Sequence, residues 1–278
     1  MSLEIVTDST VDLPAEVTNS LGISIIPMMI NLGEHSYKDR VTLTIDSFFD
    51  RLRDKKLPLP TTAAAALGDC IEIYNNHDGG LLSIHLGSLY SAMCATAKLA
   101  SEYVKNKVHI YDSGVVSLGM GFMVMKAAEW AKENLSVGKI VEKLDDMKKR
   151  TRILISLDTL DYAEKGGRVS HTIASIGRLL NIKPILEIYN NQTIKIREKV
   201  LTRQRSLNRI VEIVKNYAPL EAVGVMHSGA EKEACSVADQ IGGFFKGEIM
   251  VSEIGPAVCV HSGPGAVAVA LVQQKRSG

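Results

Sequence analysis

Short apolar runs that alternate with amphipathic, helix-like stretches are the feature that most constrains the fold of this chain. Four such runs lie in the first half: Ile5-Val6-Thr7, Ile23 to Leu32, Leu81 to Ile84, and Val108 to Tyr111. Helix-like stretches lie between and after them, near residues 45–53, 63–75, 88–106, 115–134 and 136–150. Strands separated by helices pair in parallel, because each helix returns the chain to the same end of the sheet. The first half is therefore predicted to be a parallel sheet with helices on both faces.

The second half of the chain, from about residue 151, has a different pattern. Six strand-like runs follow: Ile153 to Leu160, Pro184 to Tyr189, Thr193 to Val200, Ala222 to Met226, Glu248 to Ile254, and Val258 to His261. The turn residues Asn190-Asn191-Gln192 indicate a hairpin, so antiparallel and parallel pairing are both expected here. We expect an α/β protein of two domains, residues 1–150 and 151–278. The first is predicted to be a three-layer α/β/α domain with a parallel sheet, and the second an α/β domain with a six-stranded mixed sheet.

The charge balance and the apolar pattern exclude several partner classes. Lys and Arg number 32 against 31 Asp and Glu, a net charge of +1, so the general electrostatic argument for a nucleic-acid partner is absent. No apolar run reaches the length of a membrane span, and no basic segment followed by an apolar run opens the chain as an export signal. We expect a cytoplasmic protein with neither a nucleic-acid partner nor an integral membrane contact.

The four cysteines are Cys70, Cys94, Cys235 and Cys259. They are widely spaced and form neither a CxxC pair nor a Cys/His ligand pattern, so no metal or redox site is expected. Buried free thiols are predicted instead, which fits a reducing compartment.

Two predicted helix beginnings in the first half are candidate anion sites. Thr61 and Thr62 follow Pro60 and precede four alanines that are predicted to open a helix; Ser88 follows Gly87 before a long alanine-rich helix. A helix N-terminus offers N–H groups and a partial positive charge to an anion. A plain capping role is the alternative at Thr61. Neither segment has the spacing of a P-loop or of a dinucleotide-binding loop.

The carboxyl ends of the parallel strands are expected to form the rim of a ligand crevice. Asp8-Ser9, Gly87-Ser88 and Asp112-Ser113 each follow a predicted strand of this sheet. These three segments are therefore predicted to meet at one edge.

Two glycine-rich segments of the second half also carry candidate binding groups. Gly166-Gly167 precedes Arg168, whose planar fork of donors suits carboxylate or phosphate; a solvated loop arginine is the alternative. His261 leaves an apolar run into a turn with Gly263 and Gly265, and it is either a hydrogen-bond donor to a carboxylate or a histidine satisfied in the core. His227 occupies a similar but weaker setting.

A serine hydrolase is not favoured. Ser88, His261 and either Asp8 or Asp112 supply the residue types of a triad, but no Gly-x-Ser-x-Gly elbow presents the serine. No catalytic residue is therefore assigned.

Four ordered segments together resemble the DegV family over essentially the whole chain. They are Leu59 to Ala66, Ile84 to Ala92, Leu157 to Ser170 with the following Leu179 to Leu186, and Val260 to Ala266; the opening Val6 to Pro14 also matches. The resemblance implies a two-domain fold that holds a long-chain fatty acid in an apolar tunnel between the domains, with no cofactor. Family members of known role are the binding subunit of a bacterial fatty acid kinase. They present the carboxylate to a separate ATP-binding partner, which forms an acyl phosphate for lipid synthesis.

The same resemblance implies roles for individual residues. The carboxylate would be held by Thr61, Thr62, Ser88 and His261, and Arg168 would face the phosphate or the partner. The loops expected to line the site contain Asp8, Ser9, Gly87, Gly166, Gly167, Gly263 and Gly265.

This chain departs from the family pattern in two places. The family usually has Leu-Ser-Gly-Thr-Tyr where this chain has Leu86-Gly87-Ser88-Leu89-Tyr90, so either Ser88 replaces the family serine or that contact is absent. The family often has arginine where this chain has Leu201, a position at which a partner contact is expected.

Two other functions remain open at this stage. One is an enzyme that acts on a small phosphate or carboxylate compound in the same crevice. The other is an interaction or regulatory protein in which the lipid is only a structural filler. The length of the acyl chain is not predicted, because residues scattered through the sequence would shape the end of a tunnel.

Overall fold

A computed structural model describes residues 3–54, 58–170, 182–189 and 194–275. By its internal contacts the chain divides into two compact units. The N-terminal unit is Met1–Lys148 with Gly255–Ala257, and the C-terminal unit is Lys149–Ile254 with Val258–Gly278.

The N-terminal unit is built on a parallel sheet of four strands in the order β2-β1-β6-β7. Its strands are β1 Leu3–Asp8, β2 Ile23–Ile26, β3 Met29–Leu32, β4 His35–Lys38, β5 Thr61–Ala63, β6 Gly80–His85 and β7 Val108–Asp112. Its helices are α1 Ala15–Leu21, α2 Ile45–Arg53, α3 Leu67–Asn75, α4 Met93–Ser101, α5 Leu118–Lys132 and α6 Val137–Arg150, the last of which ends just beyond the unit. Helix α1 packs on α5 and α3 packs on α4, which gives the predicted three layers. Strands β4-β3-β5 form a small antiparallel sheet that the sequence did not predict.

The C-terminal unit contains a mixed sheet of six described strands in the order β10-β9-β8-β13-β11-β12. The strands are β8 Thr151–Ser156, β9 Lys183–Tyr189, β10 Lys195–Val200, β11 Leu220–His227, β12 Ile249–Glu253 and β13 Val267–Gln273. The helices described after β8 are α7 Asp161–Lys165, α8 Arg203–Asn216, α9 Glu231–Gly242 and α10 Pro256–Ser262. Only β11 and β12 pair in parallel, which confirms the predicted mixed sheet.

One apolar core of this unit lies between the sheet and helices α8 and α9. Leu154, Ile185 and Val269 of the sheet pack with Ile210 of α8 and Ile241 of α9, and all five are fully buried. The helices bury one amphipathic face each, which is the usual way in which a helix stabilises a sheet.

The structure corrects two predicted strands. The apolar run Ile23 to Leu32 is two strands in different sheets, because Pro27 has no N–H group with which to continue the pairing. Val258 to His261 belongs to helix α10, whose first residue is Pro256, a favoured position for proline. The sixth strand of the sheet is β13 instead, which lies between β8 and β11.

The hairpin turn predicted at Asn190-Asn191-Gln192 lies outside the described residues. The strands on either side, β9 and β10, pair antiparallel with a register shift between Ile196 and Glu198.

Candidate functional site

The carboxyl ends of β1, β6 and β7 meet at one edge of the N-terminal sheet, as predicted for a parallel sheet. Leu86 donates its backbone N–H to Asp8 Oδ2 (3.1 Å), and Ser113 donates to the carbonyl of His85 (3.0 Å). Ser88 donates its N–H to the two carboxylate oxygens of Asp112, each at 3.3 Å. The three predicted rim segments are therefore joined by hydrogen bonds.

A chain of buried polar side chains runs beneath this rim. The Tyr74 hydroxyl lies 2.9 Å from Ser83 Oγ, which lies 2.8 Å from His85 Nε2. The other ring nitrogen of His85 lies 3.0 Å from Asp8 Oδ2. Asp8 also accepts hydrogen bonds from the backbone and the hydroxyl of Thr10. Because Asp8 is fully buried and pairs with His85, it supports the rim from inside and is committed to this network.

Ser9, the second residue of the predicted rim, is also buried. Its hydroxyl donates to Asp39 Oδ2 (2.7 Å) and accepts the N–H of Met28 (3.0 Å). Burial raises the pKa of Asp39 to about 7, although the hydrogen bond from Ser9 works against this rise. Ser9 therefore anchors the segment between β2 and β3.

Gly87 and Ser88 form the turn after β6, and no helix begins there. Helix α4 begins at Met93, so the prediction that Ser88 starts a long helix is wrong. Ser88 is exposed, whereas Gly87 is buried. A β-carbon at Gly87 would lie 2.8 Å from the carbonyl carbon of Gly114, closer than side chains come to backbone. A serine at position 87 would therefore require this backbone to shift, and Ser88 is the exposed serine of the turn.

Thr61 and Thr62 lie on a strand, so the prediction that they open a helix is wrong. They belong to β5, where Thr62 pairs with Ile30 and Thr61 with Asn31. Helix α3 begins only at Leu67, after Ala66 in an extended conformation. Pairing with β3 holds this segment extended, which suits β-branched threonines. Thr61 is exposed and Thr62 half-buried.

The Gly166-Gly167-Arg168 segment of the C-terminal unit follows the short helix α7. Arg168 donates its backbone N–H to the carbonyl of Ala163 (2.9 Å), and its guanidinium bonds the carbonyl of Gly166. Gly167 has a φ of 72°, a backbone conformation that favours glycine. Arg168 is half-buried, and burial lowers its pKa. The side chain is therefore held against the loop rather than extended into solvent.

His261, near the end of α10, packs directly against this loop. A β-carbon at Gly166 would lie 2.2 Å from His261 Nδ1, so the imidazole lies against the bare backbone of Gly166. The turn after His261 makes two more such contacts. A β-carbon at Gly263 would collide with the ring of Tyr162, and one at Gly265 with the carboxylate of Asp158. The two glycine-rich segments that the sequence singled out thus pack directly against each other.

The electrostatic setting of His261 keeps its ring neutral. Burial, with a smaller contribution from the Arg168 guanidinium, lowers the pKa of His261 to about 4. Near neutral pH the ring carries one N–H group and no charge, so it can donate one hydrogen bond to a carboxylate. Arg168 supplies the positive charge beside it.

A pH dependence of stability follows from this shift. In the unfolded chain the histidine has its ordinary pKa near 6.5, so between about pH 6.5 and 4 the unfolded state binds more protons than the folded state. The contribution of His261 to stability is therefore fully present above about pH 6.5 and is lost as the pH falls towards 4. We expect His261→Gln to remove up to about 3 kcal/mol of this acid destabilisation. Urea denaturation of both proteins from pH 7 to 4 tests it, and parallel stability curves would contradict it.

Two residues near His261 were missed by the sequence interpretation. They are Ser228 and Arg203. Both bond to the turn that follows His261. Their roles depend on contacts distant in sequence, so no local pattern indicates them.

Metal and membrane roles find no support in the described ranges. There, no three His, Cys, Asp or Glu side chains are arranged to hold a metal ion. Among the same residues, no helix combines the length and apolar character that crossing a membrane requires.

Comparisons with known proteins assign this fold to one class. A family model described as an uncharacterised protein of the DegV family matches residues 2–274. Protein DegV of Bacillus subtilis is 32% identical over 280 residues, which cover 97% of this chain and 98% of that protein.

Solved structures agree with this relationship. A DegV family protein from Thermus thermophilus, described for its fatty acid binding, matches with a TM-score of 0.90 and 25% identity over 99% of this chain and 100% of that one. The B. subtilis DegV structure, described as a fatty acid binding protein, gives a TM-score of 0.88 and 31% identity over the same shares. The fold thus defines a two-unit α/β protein. This chain belongs to the DegV family.

Proposed function

We propose that this chain binds one long-chain fatty acid and presents its carboxylate to an ATP-binding fatty acid kinase subunit, which forms the acyl phosphate. The observation that carries the proposal is the His261 imidazole, which packs against Gly166 and whose pKa is lowered by burial and by the Arg168 guanidinium. The fatty acid binding of the two structural relatives supports it. The chain itself would perform no turnover. We place this reaction in the cytoplasm, because four free cysteines suit a reducing compartment. Cys70 and Cys259 are buried as predicted, whereas Cys94 is half-buried and Cys235 is exposed.

The groups proposed for the carboxylate are three hydroxyls and one imidazole. They are those of Thr61, Thr62, Ser88 and His261. Thr61 and Ser88 are exposed, so their hydroxyls are accessible to a ligand. Arg168 is proposed to face the phosphate or the partner.

Exposed apolar side chains beside these groups favour a lipid over a small polar compound. Leu59 is 40% exposed and lies two residues before Thr61, and Leu89 is 53% exposed and follows Ser88. Burying an alkyl chain contributes about 0.8 kcal/mol per methylene, so the tail would set the affinity. The polar groups would fix the orientation and avoid a buried, unpaired carboxylate.

Organic extraction of the purified, denatured protein followed by mass spectrometry is the first test. We expect a long-chain fatty acid in a nearly one-to-one ratio with the protein, because the buried tail dissociates slowly. Its length and unsaturation would describe the binding site. An empty extract with no uptake of added fatty acids would contradict the proposal and favour an enzyme acting on a small phosphate or carboxylate compound.

The kinase step needs its own experiment. The loaded protein is mixed with ATP and a purified ATP-binding fatty acid kinase subunit, and acyl phosphate is trapped with hydroxylamine. Loss of product in His261→Gln, with lipid content and stability retained, would support presentation of the carboxylate. Equal product from this variant would contradict the role of His261, and no product from the wild-type protein would reduce the proposal to lipid binding.

A further inference from the structure

The turn that follows His261 has little regular structure of its own. Gly263 and Gly265 have φ values of 70° and 78°, and the turn joins helix α10 to strand β13. Such a backbone keeps one shape only when its neighbours hold it, because glycine has the largest conformational freedom. The position of His261 therefore depends on the groups that bond this turn.

Ser228 makes four hydrogen bonds to the turn. Its N–H donates to the carbonyl of Ala266 (3.0 Å), and its carbonyl accepts the N–H of Gly265 (2.7 Å). Its hydroxyl accepts the N–H of Ala266 (3.1 Å) and donates to the carbonyl of Gly263. Ser228 is fully buried, so water does not replace these bonds.

Arg203 holds the turn from another side. Its Nη2 donates to the carbonyl of Gly265 (2.6 Å), and its Nη1 donates to Ser156 Oγ (3.0 Å) at the end of β8. Glu233 orients the guanidinium through an ion pair of 2.6 Å. The side chain of Arg203 is only 18% exposed. The same turn is thus fixed by a hydroxyl from the end of β11 and a guanidinium from the start of α8.

We propose that Ser228 is a positioning residue for His261, whose hydroxyl locks the Gly263–Ala266 turn so that the imidazole meets the ligand carboxylate. This inference rests on the proposed function. A hydroxyl both donates and accepts, and here each capacity serves a different backbone group of the turn. Alanine keeps the two backbone hydrogen bonds of residue 228 but leaves the carbonyl of Gly263 and the N–H of Ala266 without these partners. The sheet is retained and the turn loosens.

The test compares two ligands with the same tail, hexadecanoate and hexadecan-1-ol. We expect the wild-type protein to bind the acid more tightly than the alcohol, because the hydrogen bond from His261 to a carboxylate is charge-assisted and stronger than one to a hydroxyl. We expect Ser228→Ala to reduce this preference about tenfold, the effect of weakening one hydrogen bond to a charged group. Affinity for the alcohol should change less than about twofold, because the tail contacts remain. In a His261→Gln background, Ser228→Ala should cause no further loss, since the group it positions is gone.

Two further variants serve as control and as substitute. Thr151→Val removes a buried hydroxyl from the end of β8 that is opposite to Ser156. It should leave the preference for the acid over the alcohol unchanged. Arg203→Lys loosens the same turn from the other side; it should lower the preference in the same direction, and it replaces Ser228→Ala if that variant does not fold.

The nitrogen and proton resonances of the His261 ring give a measurement independent of the ligand. They should shift in Ser228→Ala and stay unchanged in Thr151→Val. An unchanged ring spectrum, an unchanged acid preference, or equal losses for acid and alcohol would each overturn the positioning role. If the wild-type protein binds neither ligand, the proposed function fails, while the ring spectrum still decides whether Ser228 positions His261.

Discussion

Replacing Asp8 by alanine is expected to lower the free energy of unfolding of the N-terminal unit by about 3–5 kcal/mol, because it leaves several buried hydrogen-bonding groups without their partner. The carboxylate of Asp8 is fully buried and accepts from Leu86 N and from both the N–H and the hydroxyl of Thr10. It also pairs with His85, which has no exposed surface. Alanine would leave all of these polar groups buried without this partner.

Two matched variants separate this network from a general effect of losing an aspartate. Asp8→Asn keeps an oxygen for one of the two backbone N–H groups and should lose less stability than alanine. Asp50→Ala removes a carboxylate that is 71% exposed and pairs only across one turn of α2, so little change is expected.

Trp130 makes the measurement specific to the N-terminal unit, because it is the single tryptophan of the chain and lies on α5. Urea unfolding followed by its fluorescence gives the midpoint and slope for each variant. A midpoint for Asp8→Ala equal to that of Asp50→Ala would show that the hydrogen-bonded network around Asp8 contributes no stability. The rim that carries Ser88 would then need another source of rigidity.

The meeting of the strand ends at one rim was predictable from the sequence, whereas strand β5 was not. Asp8, Ser88 and Asp112 follow apolar runs separated by helices, and a parallel sheet brings such strand ends together. The strand at Thr61–Ala63 was missed because it exists only through pairing with Met29–Asn31. The four alanines after Thr62 indicated a helix locally, and this nonlocal pairing overrode that preference.

The supports of His261 illustrate a second limit of sequence interpretation. The sequence singled out Gly166, His261, Gly263 and Gly265 but not the residues that fix them. The hydroxyl of Ser228 reaches Gly263 and Ala266, which are 35 and 38 residues further along the chain. A serine after a strand has many uses, and only the folded backbone shows which carbonyl it meets. Close packing of glycine against a side chain is likewise invisible until both segments are placed.

Replacing Gly166 by alanine is expected to weaken fatty acid binding about 10- to 100-fold while the backbone stays unstrained. Gly166 has a φ of −74°, which any residue adopts, so the substitution introduces no backbone strain. Its new β-carbon would lie 2.2 Å from His261 Nδ1 and 2.9 Å from Cε1, so the imidazole must move. The predicted loss corresponds to a hydrogen bond with a charged group, about 1.5–3 kcal/mol.

Gly167→Ala is the matched control, since it adds the same methyl group one residue away. Gly167 has a φ of 72° and no atom within 4 Å of an added β-carbon, so alanine there strains the backbone but does not touch the histidine. We expect it to cost about 1 kcal/mol of stability and to leave affinity unchanged. Displacement of a fluorescent fatty acid measures affinity, and thermal unfolding measures stability. Equal affinities for the two variants would show that the contact between Gly166 and His261 does not control the carboxylate site, whereas a loss confined to Gly166→Ala would place His261 in direct contact with the ligand's polar head.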